Sequence, residues 1–282
     1  MRGWISGFSV IAALVTAPAA VHAQQAQPAP APEQTPAASQ PEQLPPIEPK
    51  AVDILKAACK TLETAKAMSF TAVSTYEKAA RNGQPLFYAT LNQVTMQRPD
   101  KLRVITTGDG VPDEFYYNGK ILMAYVPSED LVAIADAPPT IDQMVDAAWD
   151  KAAIYFPFAD LLMSKPCAVF EQEGLNSAFY VGQSKIIGGT TTDMVAVAAD
   201  NVQGELWIGA TDHLPRLIRV VYPHEPAHAL YQTEYSDWHL VDSVDPATFA
   251  SERAAKGKPM NFAPPGLREV PALPSASPQQ HQ

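Results

Sequence analysis

The pattern with the most direct chemical meaning is His224-Glu225-Pro226-Ala227-His228. On a helix, a His-Glu-x-x-His run sets two imidazoles on one face to hold zinc, with the Glu beside them as general base. That geometry needs a helix, and this stretch resists one. Pro226 lies between the histidines and Pro223 precedes them. A proline removes a helix hydrogen bond and disfavours helical backbone at the residue before it, here Glu225. The flanking residues are strand formers. The run therefore reads as a hairpin loop, with zinc-dependent hydrolysis through His224, Glu225 and His228 as the minority alternative and no metal site expected.

Other chemistry-bearing patterns are weaker still. No Gly-x-Ser-x-Gly is present, and Gly188-Gly189 reads as a turn rather than a phosphate loop. Asp142 and Asp146 fall on the solvated face of a helix. Arg98, Arg103, Arg216 and Arg219 lie in or beside strands, where charge discourages sheet-to-sheet association. No catalytic residue and no cofactor is expected, so the chain reads as a non-enzyme. Cys59 and Cys167 have no Cys-x-x-Cys spacing. In an oxidising compartment a sparse pair often bridges, while free cysteines also serve as small buried apolar residues. Both readings stand; a bridge closing so long a loop is worth about 4–5 kcal/mol in the chain-entropy model.

The elements that would position these groups are bounded by composition. The chain has 282 residues, 46% hydrophobic and 18% charged, with a net charge of −10. Residues 1–23 combine Arg2, an apolar run from Ile5 to Val15 and the small-residue site Val21-His22-Ala23, as in a secretory leader cut after Ala23. That run is short for a membrane span, so no integral membrane anchor is expected. Losing the leader, which holds Arg2 and no acid, makes the charge one unit more negative. This balance argues against nucleic acid and anionic lipid surfaces as partners. Of the 27 prolines, eight lie in 24–49 and five in 264–282, so the expected layout is a disordered linker over 24–49, one domain over 50–262 and a disordered tail over 263–282.

Pro49 suits a helix start, and Val52, Leu55, Cys59 and Leu62 share one face of a helix of about four turns. Six strands follow from Ser69 to Ala135, separated by Asn82-Gly83, Arg98-Pro99-Asp100, Gly108-Asp109-Gly110, Asn118-Gly119 and Pro127-Ser128-Glu129-Asp130. Pro138-Pro139 then stop the sheet. Thr140 with Gln143 forms a capping box before a helix that should end at Pro157, and Phe158–Ser164 makes a short second helix. A meander resumes from Ser177 to Leu240, and Asp245-Pro246 opens a short helix to about Ala255. The fold class is α+β: a single large curled antiparallel sheet of about ten or eleven strands, a half-open barrel, with helices covering one face.

The aromatics and methionines suggest what such a half-barrel encloses. Tyr117, Met123, Tyr125, Met144, Trp149, Phe158, Tyr180 and Trp207 converge on the sheet and its helices as an apolar cavity lining or as an ordinary core. Both need apolar side chains at alternate strand positions, so alternation does not separate them.

The succession Arg98-Pro99-Asp100-Lys101-Leu102-Arg103, Tyr117-Asn118-Gly119-Lys120, Tyr180-Val181-Gly182, Leu206-Trp207-Ile208, Leu214-Pro215-Arg216, Ser236-Asp237-Trp238 and Phe262-Ala263-Pro264-Pro265 resembles a bacterial family of predicted periplasmic proteins, domain of unknown function 2092. It covers about residues 50–265 and places the chain near the lipoprotein-carrier (LolA/LolB-like) superfamily. The resemblance implies an unclosed antiparallel barrel covered by helices, a periplasmic location and a hydrophobic ligand such as a lipid or an acylated lipoprotein. The family pattern has a His after the Asp of the strand following Gly188-Gly189; here Met194 follows Asp193, so no role tied to that His is carried over. The leading expectation is a monomeric periplasmic binding or carrier protein. An envelope interaction or sensor module without a ligand is the alternative.

Overall fold

The first and last long strands of the domain pair with each other, and this single pairing organises the molecule. The computed structural model describes residues 47–168, 174–200, 202–224 and 230–264. The expected leader, most of the linker, nearly all of the tail and Glu225–His228 lie outside them. Strand β1 (Ala67–Ala79) and strand β11 (Leu230–Val241) run antiparallel at the centre of the sheet, with Ala72 opposite Tyr235 and Tyr76 opposite Tyr231. A meander grows outward on each side. One side is β2 (Pro85–Gln97), β3 (Lys101–Gly108), β4 (Asp113–Tyr117), β5 (Ile121–Val126) and β6 (Leu131–Asp136). The other is β10 (Pro215–Val221), β9 (Val202–Gly209), β8 (Thr192–Ala199) and β7 (Ser177–Ser184). The turn chemistry is as the sequence requires. Gly83 takes φ +82°, and the Gln84 N–H donates to Asn82 Oδ1 at 3.1 Å.

The sheet has twelve strands and stays open, since its edges do not pair with each other. The strand beyond the expected count is β12 (Lys258–Pro259), two residues paired parallel with β6. It is too short to carry a periodic signal and simply covers an edge. The other edge, β7, is tied to the end of the linker. The Glu48 N–H donates to Ala178 O at 2.7 Å, and the Glu48 carboxylate accepts from the Tyr180 N–H at 2.9 Å.

Because β6 and β7 lie toward opposite ends of the sheet, the chain between them has to cross it. This crossing strap carries α2 (Ile141–Ala152) and α3 (Ala159–Leu162). Thr140 caps α2, its hydroxyl accepting from the Gln143 N–H at 3.3 Å. The helix stops well before Pro157. Ala153 turns left-handed at φ 52° and donates to Trp149 O, which leaves Ile154–Pro157 free to lie over the sheet. On this inner face, Met68, Phe70, Met96, Leu102 and Tyr117 pack against Ile141, Met144, Phe158 and Leu162.

Helix α1 (Pro49–Thr64) covers the other half of the inner face. Ala51, Leu55 and Ala58 meet Ala178, Val195, Leu206 and Ile208. The disulfide question is answered in favour of the bridge: Cys59 on α1 is bonded to Cys167 on the strap, with Cα atoms 5.8 Å apart. On the opposite face, the short helix α4 (Glu252–Ala255) places Ala254 in a separate cluster with Tyr116, Met123, Tyr125 and Val132. Among the described residues no helix is long and apolar enough to cross a membrane.

Candidate functional site

A cavity of about 960 Å³ lies between the strap and the inner face of the β1–β6 half. Its volume is at the upper end of the range for ligand pockets, about 300–1,000 Å³. Small side chains make the room: Ala124 on β5 and Ala133 on β6 are cross-strand partners, and both line it. Ile154 and Phe156 of the strap form part of the wall, with Phe115, Met260 and Phe262. The rim is exposed at Val111 (61%) and Tyr155 (60%).

The inner face changes character along the strands as it enters this cavity. Under the helices, Phe70, Ala72, Val94, Val104, Phe115 and Tyr235 are apolar core. Next comes a transverse polar band, read from strand registers: Thr233 opposite Ser74, Ser74 opposite Thr90, Asn92 opposite Thr106, and Thr106 opposite Asp113. Ser74 and Thr233 share a hydrogen bond of 2.9 Å, and the Thr106 hydroxyl donates to Asn92 Oδ1 at 3.1 Å. These bonds let Ser74, Asn92 and Thr233 be buried at little cost. Beyond the band, Tyr76 stacks between Tyr88 and Tyr231, at centroid distances of 5.6 and 6.5 Å. The Tyr231 hydroxyl is buried beside Ser74, Thr233 and Tyr155, and burial pushes its pKa up.

Asp113 is the ionisable side chain at the end of this band. Among the described residues it has no ion pair. Burial pushes its carboxyl from the ordinary 3.8 up to about 6, with Glu114 acting in the same direction and the Thr106 hydroxyl opposing. Between those values the folded protein binds more protons than the unfolded chain, so this residue weakens the fold as pH rises through 6 and spares it below about 4. Asp113→Asn is expected to gain about 2 kcal/mol of stability relative to wild type on going from pH 4 to 7.5. Urea unfolding of both proteins across that interval measures it; a constant difference would remove the buried-carboxylate account.

The eight aromatic and methionine positions singled out from sequence are not gathered in one place. Tyr125 borders the large cavity, although its ring lies under Arg253, 5.2 Å from the guanidinium. Tyr117, Met144 and Phe158 are in the inner core. The Tyr117 hydroxyl donates to Pro138 O at 2.6 Å, and burial lifts its pKa to about 12. Met123 belongs to the cluster on the opposite face. Trp149 is 57% exposed and meets Tyr155 edge-on at 6.2 Å. Tyr180 holds the Lys50 ammonium 3.3 Å above its ring. Trp207 stands between Met194 and Leu217 of the neighbouring strands. The alternation on β4 and β5 is blurred because α2 and α4 cover opposite faces, so inward and outward positions are both apolar. The polar band leaves no sequence signal for the converse reason: Ser, Thr and Asn at inward positions have the composition of surface.

Of the proposed zinc run only His224 is described. Its Nε2 lies 3.2 Å from Asp200 O. Two other readings change. Asp142 is not merely solvated, since its carboxylate accepts from the Ser164 N–H at 2.9 Å and so ties α2 to the segment after α3. Arg98 is not edge charge. It reaches inward to the carbonyls of Leu162 and Leu62, at 2.9 and 3.4 Å. A second cavity of about 310 Å³ lies beneath α1, bordered by Leu55, Leu206, Ile218 and the Cys59–Cys167 bridge, and Tyr222 borders both cavities.

The family model described as predicted periplasmic protein (DUF2092) matches residues 51–263. No curated protein matches the chain. Among solved structures, the chain is similar to LprF from Mycobacterium bovis, with 16% identity over 71% of this chain and 99% of that one and a TM-score of 0.44. It is similar to a LolA superfamily protein from Nitrosomonas europaea, with 14% identity over 71% and 97% and a TM-score of 0.31. It is also similar to MucB, with 14% identity over 73% of this chain and a TM-score of 0.42; there the match spans 64% of the MucB chain, less than two thirds of its length.

Proposed function

The chain belongs to the DUF2092 family of predicted periplasmic proteins, and from that premise we propose that it is a non-catalytic periplasmic binding or carrier protein for an amphiphile. The observation that carries this reading is the cavity of about 960 Å³ between the strap and the sheet. Its walls include Phe115, Ile154, Phe156 and Phe262, which suit an alkyl or acyl chain. Binding there needs no bond chemistry, only the transfer of apolar surface out of water. Export through the N-terminal leader, cut after Ala23, would deliver the chain to its compartment. The Cys59–Cys167 bridge fits an oxidising location.

The experiment is a binding series. Mass spectrometry of gently purified protein should find a co-purified amphiphile. Displacement of the neutral fluorophore N-phenyl-1-naphthylamine by alkyl amphiphiles of increasing length should show Kd falling about fourfold per added methylene, the equivalent of about 0.8 kcal/mol, until the cavity is full. Ala124→Trp, which fills the floor, should weaken binding by at least about tenfold while circular dichroism and cooperative unfolding persist. A protein that neither binds the fluorophore nor carries any amphiphile would overturn the proposal.

A further inference from the structure

The position of Asp113 points to the kind of head group the cavity accepts. Resting on the binding function proposed above, we propose that the end of the cavity formed by Asp113, Thr106 and Asn92 receives a head group that donates hydrogen bonds and carries no negative charge, so that the protein discriminates against anionic amphiphiles.

Three observations converge on this. First, Asn92, Thr106 and Asp113 are lateral neighbours on β2, β3 and β4, and all three line the cavity. Their Cα positions step across the sheet by about 4.8 Å per strand, so the group spans the width of a small polar head. Second, the acceptors outnumber the donors. The single Thr106 hydroxyl proton faces two acceptors, Asn92 Oδ1 at 3.1 Å and the Asp113 carboxylate, and that carboxylate has no cationic partner among the described residues. An ammonium or hydroxyl would supply the missing donor, whereas a carboxylate or phosphate would set like charges against each other in a poorly hydrated site. Third, the other charged cavity-lining residues are Glu77 and Lys78. They follow Tyr76 on the arm of β1 that leads to the exposed Asn82-Gly83 turn, and the Lys78 ammonium lies 5.8 Å over the Tyr76 ring. Asp113 pairs instead on the β3–β4 side of the sheet, so the one lysine is not its counter-ion. Glu114, its neighbour in sequence, is engaged by Arg253 and by the Tyr116 hydroxyl.

The site is therefore selective by exclusion. Chain length sets how tightly any amphiphile binds, and Asp113 sets which heads are tolerated.

The test compares three amphiphiles with the same dodecyl chain, as competitors of N-phenyl-1-naphthylamine at pH 7.5: dodecylammonium, 1-dodecylglycerol and dodecanoate. Dodecylammonium and dodecylglycerol are expected to displace the fluorophore at concentrations at least about tenfold lower than dodecanoate. In Asp113→Asn, and in Asp113→Ser as a second variant of smaller volume, the gap should close to within about threefold. In Asp150→Asn, a carboxylate removed from the exposed side of α2, the gap should persist, which separates a local effect from the net negative charge of the chain. Equal displacement by all three in wild type, tighter dodecanoate, or a gap unchanged in both Asp113 variants would each overturn this proposal while leaving the binding function standing. Failure of the fluorophore to bind, together with the absence of any co-purified amphiphile, would overturn both.

Discussion

Replacing Cys59 and Cys167 together with alanine is expected to lower the unfolding free energy by about 4 kcal/mol. The bridge joins residues 108 apart in sequence, and in the chain-entropy model a loop of that length is worth about 4–5 kcal/mol through the unfolded state. For a domain of this size the melting temperature should fall by about 10 °C. Freed from the crosslink, the denatured chain expands, so the urea m-value should rise as the midpoint falls. Dithiothreitol should reproduce both changes in the wild type and alter neither in the double variant. The bridge also fastens the strap to α1 beside the smaller cavity, so amphiphile binding should weaken in the same variant. A loss below about 1 kcal/mol with an unchanged m-value would mean that packing alone holds the strap.

The second large effect is expected at Arg98. Its guanidinium donates to Leu162 O, the last carbonyl of α3, and to Leu62 O in the last turn of α1. These are carbonyls that a helix leaves without internal partners. The surrounding turn is also a junction: the Arg98 N–H donates to Lys66 O, and Pro99 O accepts from the Ile141 N–H at the start of α2. Burial draws the guanidinium pKa below its ordinary value, against the opposing pull of Asp142 and Glu63. Arg98→Met keeps the aliphatic stem but removes the donors, and should cost about 3 kcal/mol, with faster amide exchange in the last turns of α1 and α3. Arg98→Lys should recover only part of this, because a single ammonium cannot reproduce the planar fork. A change within about 0.5 kcal/mol for Arg98→Met would show the contacts to be incidental.

The candidate site was legible in sequence only as a supply of apolar side chains. Phe158 and Met144 have the right character but belong to the core, because the strap carries them into the cluster that holds Phe70 and Leu102, with the Phe158 ring 5.7 Å from that of Phe70. The cavity opens further along the same strands, where Ala124 faces Ala133 and where Asn92, Thr106 and Asp113 point inward. No local rule marks an inward alanine as vacant space or an inward aspartate as a selector. The roles of Arg98 and Asp142 are hidden for the same reason, since their partners lie 64 and 22 residues away.

Features that act over a few residues were determined by the amino-acid sequence itself. Pro49 starts α1, Thr140 caps α2, Asn82-Gly83 turns the first hairpin, and the strands from Lys101 to Asp136 follow their turn signals. Each is settled by sterics or by hydrogen bonds within about four residues. The tertiary structure alone decided the central pairing of β1 with β11, the crossing of the strap from β6 to β7, the Cys59–Cys167 bridge and which alternate positions face inward. These depend on groups brought together from opposite ends of the domain. Periodicity states that a strand has two faces; only the pairing of distant strands and the path of the strap determine which face is covered by helices and where the cover leaves a cavity.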